Sequence, residues 1–238
     1  MANSKLDNEA REQRILDAAS NLIVRQGYDK ITMSDVAEEA GISRGIVYLH
    51  FDTKEKLFEA LLIREITHYG ETWNAYFESD PRSGTIGGIF RGVLHAINSR
   101  PLMTAIVRRD KRILGSYLHK PEGMLASLES SSVIPDLIKA LQTAGTVRKD
   151  IDASVAAHIF DILSHGQLTL GDIKSPDTFP PFEVVMETLA DMMDHWLTPE
   201  GGGNSEAGKA VLRQIGAAAE AQFEQMKQAK ELNEGQES

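Results

Sequence analysis

Cysteine is absent from the 238 residues. Disulfides, thiolate metal sites and cysteine nucleophiles are therefore excluded. No window approaches the roughly 20 consecutive apolar residues that a membrane span needs. The first thirty residues are polar and charged, with no apolar run followed by a small-residue cleavage site, so no secretory signal is expected. A cytoplasmic protein is the resulting expectation. No Gly-rich phosphate loop, HExxH pair or nucleophile elbow is found, so neither an enzyme nor a bound cofactor is expected. Positive charge is scarce as well: the formal net charge is −10, and residues 1–60 hold eight Lys/Arg against eleven Asp/Glu. An acidic surface repels phosphates. If this chain binds nucleic acid, it must do so through a few well-placed donors rather than a basic field.

What the chain does have is helical periodicity. Apolar residues recur at three- and four-residue steps, with no convincing period-two strand, and the 42% apolar content is enough for a packed core. An all-α protein is expected. The first helix is predicted from about Asn8 to Gln26, stopped by Gly27. Thr32 and Asp35 form a capping-box arrangement opening a second helix that ends at Ala40, with Gly41 as the left-handed turn residue. Ser43 caps a third helix near Arg44–His50. Asp52 and Glu55 read as a capping pair for a long fourth helix, about 53–78. Further helices are predicted at about 85–98, 101–118, 122–144 (kinked or split by Pro135), 152–170, 182–197 and 206–231. The last is a weakly apolar docking helix behind the flexible stretch PEGGGNSE. Three divisions follow: 1–52 as a small helical domain, 53–198 as a larger one, and 199–238 as connector and accessory helix.

The stretch GISRGIVYLHFDTKEKL, residues 41–57, carries the functional reading. Two short helices across a glycine-containing turn make a helix-turn-helix, with Ala37, Ala40 and Gly41 allowing close approach. The N-terminal end of such a third helix is the part that meets base edges. Ser43, Arg44, Gly45 and Ile46 stand there. Arg44 can fork to guanine, and Ile46 and Leu49 can meet thymine methyls. Tyr48 and His50 can donate to phosphate, as can Thr32 and Ser34 at the start of the second helix. Lys54, a cation in a helix first turn, runs against the dipole unless a phosphate shares the site. Phe51 is expected to pack the small domain.

The run ILDAASNLIVRQGYDKITMSDVAEEAGISRGIVYLHFDTKEKL, from Ile15 to Leu57, resembles the DNA-binding domain of the tetracycline-repressor (TetR/AcrR) family. Matching positions include Gly27-Tyr28, Ile31-Thr32-Met33, Val36-Ala37, Ala40-Gly41-Ile42-Ser43, Gly45, Tyr48, His50-Phe51 and Lys54-x-x-Leu57. Ile46 stands where the family commonly has a small or hydroxyl residue and Leu49 where it often has a larger polar or aromatic one, both on the expected reading face, which leaves the operator sequence open. The resemblance implies an all-helical homodimer paired through two late helices, here about 152–170 and 182–197. It also implies a palindromic operator, and release of DNA when a small molecule enters the C-terminal domain and tilts the fourth helix. The second pairing helix carries Val184, Val185, Leu189, Met192, Met193 and Trp196, more apolar surface than one core face needs.

By position, Trp73, Tyr76, Phe77, Phe90, Met103, Tyr117, Met124 and Phe160 are the candidates for lining an apolar or aromatic effector's cavity, against plain core packing. His158, Asp161 and His165 share a helical face at metal-ligand spacing. A polar strip is the preferred reading, and a helical-bundle metal or small-molecule binder without DNA activity is the alternative. His95 is expected at a core or pocket edge. RRDKR, 108–112, is read as solvated helix surface.

Overall fold

The computed structural model describes residues 2–121, 123–127, 134–175, 179–201 and 203–236. All regular structure among them is helical. The elements are α1 (Ala2–Gln26), α2 (Met33–Ala40), α3 (Arg44–His50), α4 (Lys54–Ser79), α5 (Ile86–Asn98), α6 (Pro101–Arg108), α7 (Lys111–Leu114), α8 (Met124–Ser127), α9 (Ile134–Thr143), α10 (Ala153–Thr169), α11 (Phe182–Leu197) and α12 (Ser205–Gln236). Short 3₁₀ turns stand at Tyr28–Lys30, Gly115–His119 and Leu170–Asp172. No helix of the described residues is long and apolar enough to cross a membrane.

The chain divides into two compact units. One is residues 1–74, 94–132 and 168–170; the other is 75–93, 133–167 and 171–238. The first division is thus larger than the expected 1–52, because the start of α4 and the α6–α8 stretch pack with α1–α3. One apolar core holds them together: Ile15, Leu22 and Ile23 of α1, Val36 of α2, Val47 of α3, Leu57, Phe58 and Leu61 of α4, Leu102 and Ile106 of α6, then Leu114, Tyr117 and Leu125.

The sequence-read caps hold locally. Thr32 and Asp35 form both halves of the capping box. Gly41 is left-handed at φ 64° and donates to Ala37 and Glu38, and the Ser43 hydroxyl accepts the Ile46 N–H at 3.4 Å. Asp152 accepts from the N–H groups of Ser154 and Val155 to open α10. Two expectations fail, and a third, that the 122–144 helix is split, holds. The start of α4 is capped by Thr53, whose hydroxyl accepts from the Lys56 N–H, while Asp52 pairs with the Lys56 ammonium. The predicted 101–118 helix stops at Arg109, which is left-handed at φ 51°; Asp110 then caps α7. The predicted 122–144 helix is two pieces, α8 and α9, with Pro135 in the first turn of α9 and residues 128–133 outside the described residues.

In the second unit a buried guanidinium organises the end of α4, α5 and α11. Arg91 lies 2.9 Å from Glu187 and 3.3 Å from Asp80, and Tyr76 donates its hydroxyl to Asp80 at 2.8 Å. Burial raises the Asp80 pKa, but the Arg82 N–H, the Tyr76 hydroxyl and the charges of Arg82 and Arg91 outweigh it and hold Asp80 below its ordinary 3.8. A depressed carboxylate stabilises the fold above its unfolded value and loses that contribution as pH falls through the folded one. Asp194, raised by burial despite the Gly87 N–H and Thr85 hydroxyl, has the opposite sign: its contribution is complete at low pH and lost as pH climbs. Asp80→Asn is therefore expected to flatten the acid limb of stability, measured as thermal midpoints from about pH 6 to about pH 3. An acid limb as steep as that of the parent chain would refute the assignment.

Candidate nucleic-acid interface

The α2–α3 pair presents one face outward, and its local chemistry follows from how the helices are held. Only Val47 of α3 is fully buried. Ile46 and His50 are half-buried, while Arg44, Gly45 and Tyr48 are exposed, and Leu49 keeps 85% of its surface in solvent. Burying so little of a seven-residue helix would leave it marginal on its own. It is fixed instead by the Ser43 cap, the Phe51 N–H to Val47 carbonyl bond and the buried Phe51 side chain.

Arg44 and Tyr48 are pre-arranged one turn apart. The Arg44 Nη2 donates to the Tyr48 hydroxyl at 3.2 Å, and the guanidinium carbon stands 5.2 Å from the ring centroid. A phenol that accepts from arginine still has its own proton to give. The pair therefore offers a guanidinium fork and a hydroxyl donor side by side, which suits a base edge flanked by a phosphate.

Two other expected contacts look different once the atoms are placed. The Thr32 hydroxyl donates to Asp35 at 2.8 Å and accepts the Asp35 N–H, so its proton is engaged in the cap; Ser34 beside it is exposed. Lys54 turns inward. Its ammonium donates to the carbonyl oxygens of Tyr28 and Ile31 at 3.1 and 3.2 Å and stands 4.4 Å from the Tyr28 ring centroid. Those carbonyls explain a cation in the first turn of α4, and the expected phosphate contact of Lys54 is set aside. A partner more than twenty residues upstream left no trace in the local pattern.

The expected cavity residues fall into both units. In the first, Tyr117 is fully buried and meets Phe58 and Tyr28 edge-on at 4.6 and 5.6 Å. Met103 and Met124 belong to the same core, and Trp73 is half-buried. For Met103, Tyr117 and Met124, core packing replaces the cavity-lining reading. In the second unit, Phe90 and Phe160 meet at 90° and 5.2 Å, and Phe77 lies beneath Lys209 and Arg213 of α12. The Tyr76 hydroxyl is pushed up to about 12, chiefly by burial. A surface hollow of about 470 Å³ in the second unit is bordered by residues 145, 147–150 and 198–200 and by none of these aromatics. His158 and His165 are exposed, the latter 3.2 Å from the Asp161 carbonyl oxygen. His95, expected at a core or pocket edge, is also exposed. It shares α5 with inward-facing Leu94, Ala96 and Ile97.

Residues 15–61, which run from α1 through the helix-turn-helix into α4, match the profile of bacterial regulatory proteins of the tetR family. That stretch is a tetR-type regulatory domain. Among its relatives, the regulator YfiR of Bacillus subtilis is 41% identical over 59 residues, covering 25% of this chain and 29% of YfiR. The regulator AcrR of Shigella flexneri is 32% identical over 124 residues, 50% of this chain and 54% of AcrR. The chain thus spans about half or less of the length of these curated relatives. FadR of Bacillus subtilis, solved in complex with stearoyl-CoA, has the same fold: TM-score 0.56 at 14% identity, over 76% of this chain and 96% of that one. Such relatives are transcription regulators rather than enzymes. The matched residues include the Arg44–Tyr48 pair.

Proposed function

We propose that this chain is a ligand-responsive transcriptional repressor that binds a palindromic operator as a homodimer and releases it when a small molecule binds. The observation that carries the reading is the open face of α3. A guanidinium and a phenol are held as a pair, Leu49 projects into solvent, and almost nothing of the helix is committed to its own core. A second copy is supported by apolar side chains left exposed on the late helices: Val155 and Ile162 on α10, and Val184, Met192 and Trp196 on α11. On α11 these recur at eight- and four-residue steps, one stripe opposite the buried Met186, Ala190, Met193 and Leu197. A dimer paired there would present two α3 helices to successive major grooves, roughly 34–36 Å apart. The effector is read as apolar or aromatic, received by the second unit near Phe90 and Phe160.

Selection from random duplex DNA, followed by anisotropy titration, tests this. An inverted repeat is expected. Arg44→Ala should weaken binding by about 1–3 kcal/mol and relax preference at one position of each half-site. Met192→Glu should yield monomers in sedimentation and lose the operator with them. Recovery of no preferred duplex by the parent chain would refute the reading.

A further inference from the structure

The turn that leads into α2 is gripped from one side by the segment following α6. The Asp29 carboxylate accepts the Ser116 backbone N–H at 3.0 and 3.1 Å and its hydroxyl at 2.5 Å. Two glycines make the approach possible. Gly27, at φ 89°, faces the Arg112 carbonyl oxygen so closely that an added Cβ would lie 2.3 Å from it. Gly115, at φ 53°, faces Asp29, and an added Cβ would lie 2.3 Å from its carboxylate. Contacts between real atoms do not come that close: at Gly27 the obstacle is backbone, so a larger residue would separate the two segments, while at Gly115 a side chain would push the Asp29 carboxylate off Ser116 and strain a left-handed backbone. Behind this contact, Tyr28 packs on Tyr117 and Phe58, and Lys54 ties the Tyr28 and Ile31 carbonyls to α4.

The turn ends at Thr32, the cap of α2, and α2 is joined to α3 by the three residues 41–43, of which Gly41 is left-handed and Ser43 caps α3. The attitude of the turn therefore sets that of α2, and α2 sets that of α3. We propose that Asp29, Ser116, Gly27 and Gly115 form a positioning joint: they touch no DNA themselves, but hold the helix-turn-helix at the attitude it needs to read a duplex. This rests on the DNA-binding reading above for its functional half, and on geometry alone for its structural half.

Two readouts on the full-length chain separate those halves. Hydrogen exchange comes first. In Asp29→Ala, Ser116→Ala and Gly115→Ala, exchange across residues 31–42 should rise by about tenfold, while 15–23 and 57–62 keep their protection, because a local opening is being made easier. Asp29→Asn should restore the parent pattern, since its carboxamide oxygen still accepts from Ser116. Duplex affinity comes second. Asp29→Ala and Gly115→Ala should bind about five- to tenfold more weakly, with the salt slope unchanged because no phosphate contact is lost. Loss of an acidic group by itself would tighten binding to DNA, so the sign distinguishes the two effects. Unchanged exchange in 31–42, a uniform rise across the whole unit, or tighter binding by Asp29→Ala would overturn the joint. Should the parent chain bind no duplex, the DNA-binding reading falls, and the exchange pattern still decides whether the joint positions α2.

Discussion

Arg100→Met is expected to destabilise the first unit by about 3–5 kcal/mol, the cost of stranding a buried charge. Glu65 of α4 has no solvent exposure. Its carboxylate is held by Arg100 alone in good geometry, Nε at 2.8 Å and Nη2 at 2.9 Å. Arg64 lies farther off, at 3.6 Å, and is engaged with Asp17 of α1 at 2.7 Å. With Arg100 gone, the buried Glu65 carboxylate keeps one longer ion pair, to an Arg64 already engaged elsewhere. A thermal midpoint roughly 6–20 °C lower should follow for a chain of this size. Replacing both partners, Arg100→Met with Glu65→Leu, should recover most of the loss, since apolar substitutes for a buried pair are often neutral. A single variant within about 1 kcal/mol of the parent chain would show that water or Arg64 compensates, and that the pair does not hold α4 to the start of α6.

The second large effect concerns the seat of α12. Gly208→Val should unseat the first turns of that helix, at a cost of about 1–3 kcal/mol. A Cβ at Gly208 would lie 1.9 Å from the Gly84 carbonyl oxygen, and one at Gly84 would lie 1.9 Å from the Ser205 carbonyl oxygen. The two glycines interlock backbone against backbone, and Ser205 adds a hydroxyl bond to the Pro81 carbonyl at 2.7 Å. Loss of the seat would also uncover Phe77, over which Lys209 and Arg213 stand at 5.6 and 5.5 Å. Tryptic cleavage after Lys209 and Arg213 should accelerate in the variant. Gly216→Ala is the control: nothing lies within 4 Å of its added methyl, and alanine should strengthen the helix by up to about 1 kcal/mol. Equal cleavage rates in the two variants would remove the interlock as the cause.

Signals carried by neighbouring residues were legible in the sequence. Thr32 with Asp35, Gly41 and Ser43 each declare a helix boundary within four positions, and the structure keeps all of them. The residues 182–197 were read as a helix from periodicity, and α11 occupies that span. What depended on distant partners was not legible. Arg109 takes a left-handed conformation without being glycine because Asp110 caps the next turn, and nothing in a run of basic residues announces that. Lys54 looked like a phosphate ligand because its carbonyl partners lie across a turn it does not adjoin. Tyr117 looked like cavity lining because its position in the chain says nothing of Tyr28 and Phe58. The last helix was expected to dock as a weakly apolar one, yet its backbone comes closest to the chain near Gly84 at Gly208, where any side chain would collide. On α3, sequence identified the face but not the arrangement: the bond between Arg44 and Tyr48 is a matter of rotamers.

Helix α6 is fastened at both extremities within one unit. Arg100, just before its first residue, grips Glu65, and the residues just after its last lead into the Ser116 contact with Asp29. Eight residues span about 12 Å. Between that rod and Ser116 lie only the left-handed Arg109 and the single turn of α7 with its two caps, so the route from the Glu65 clasp to the threshold of α2 is short and mostly helical.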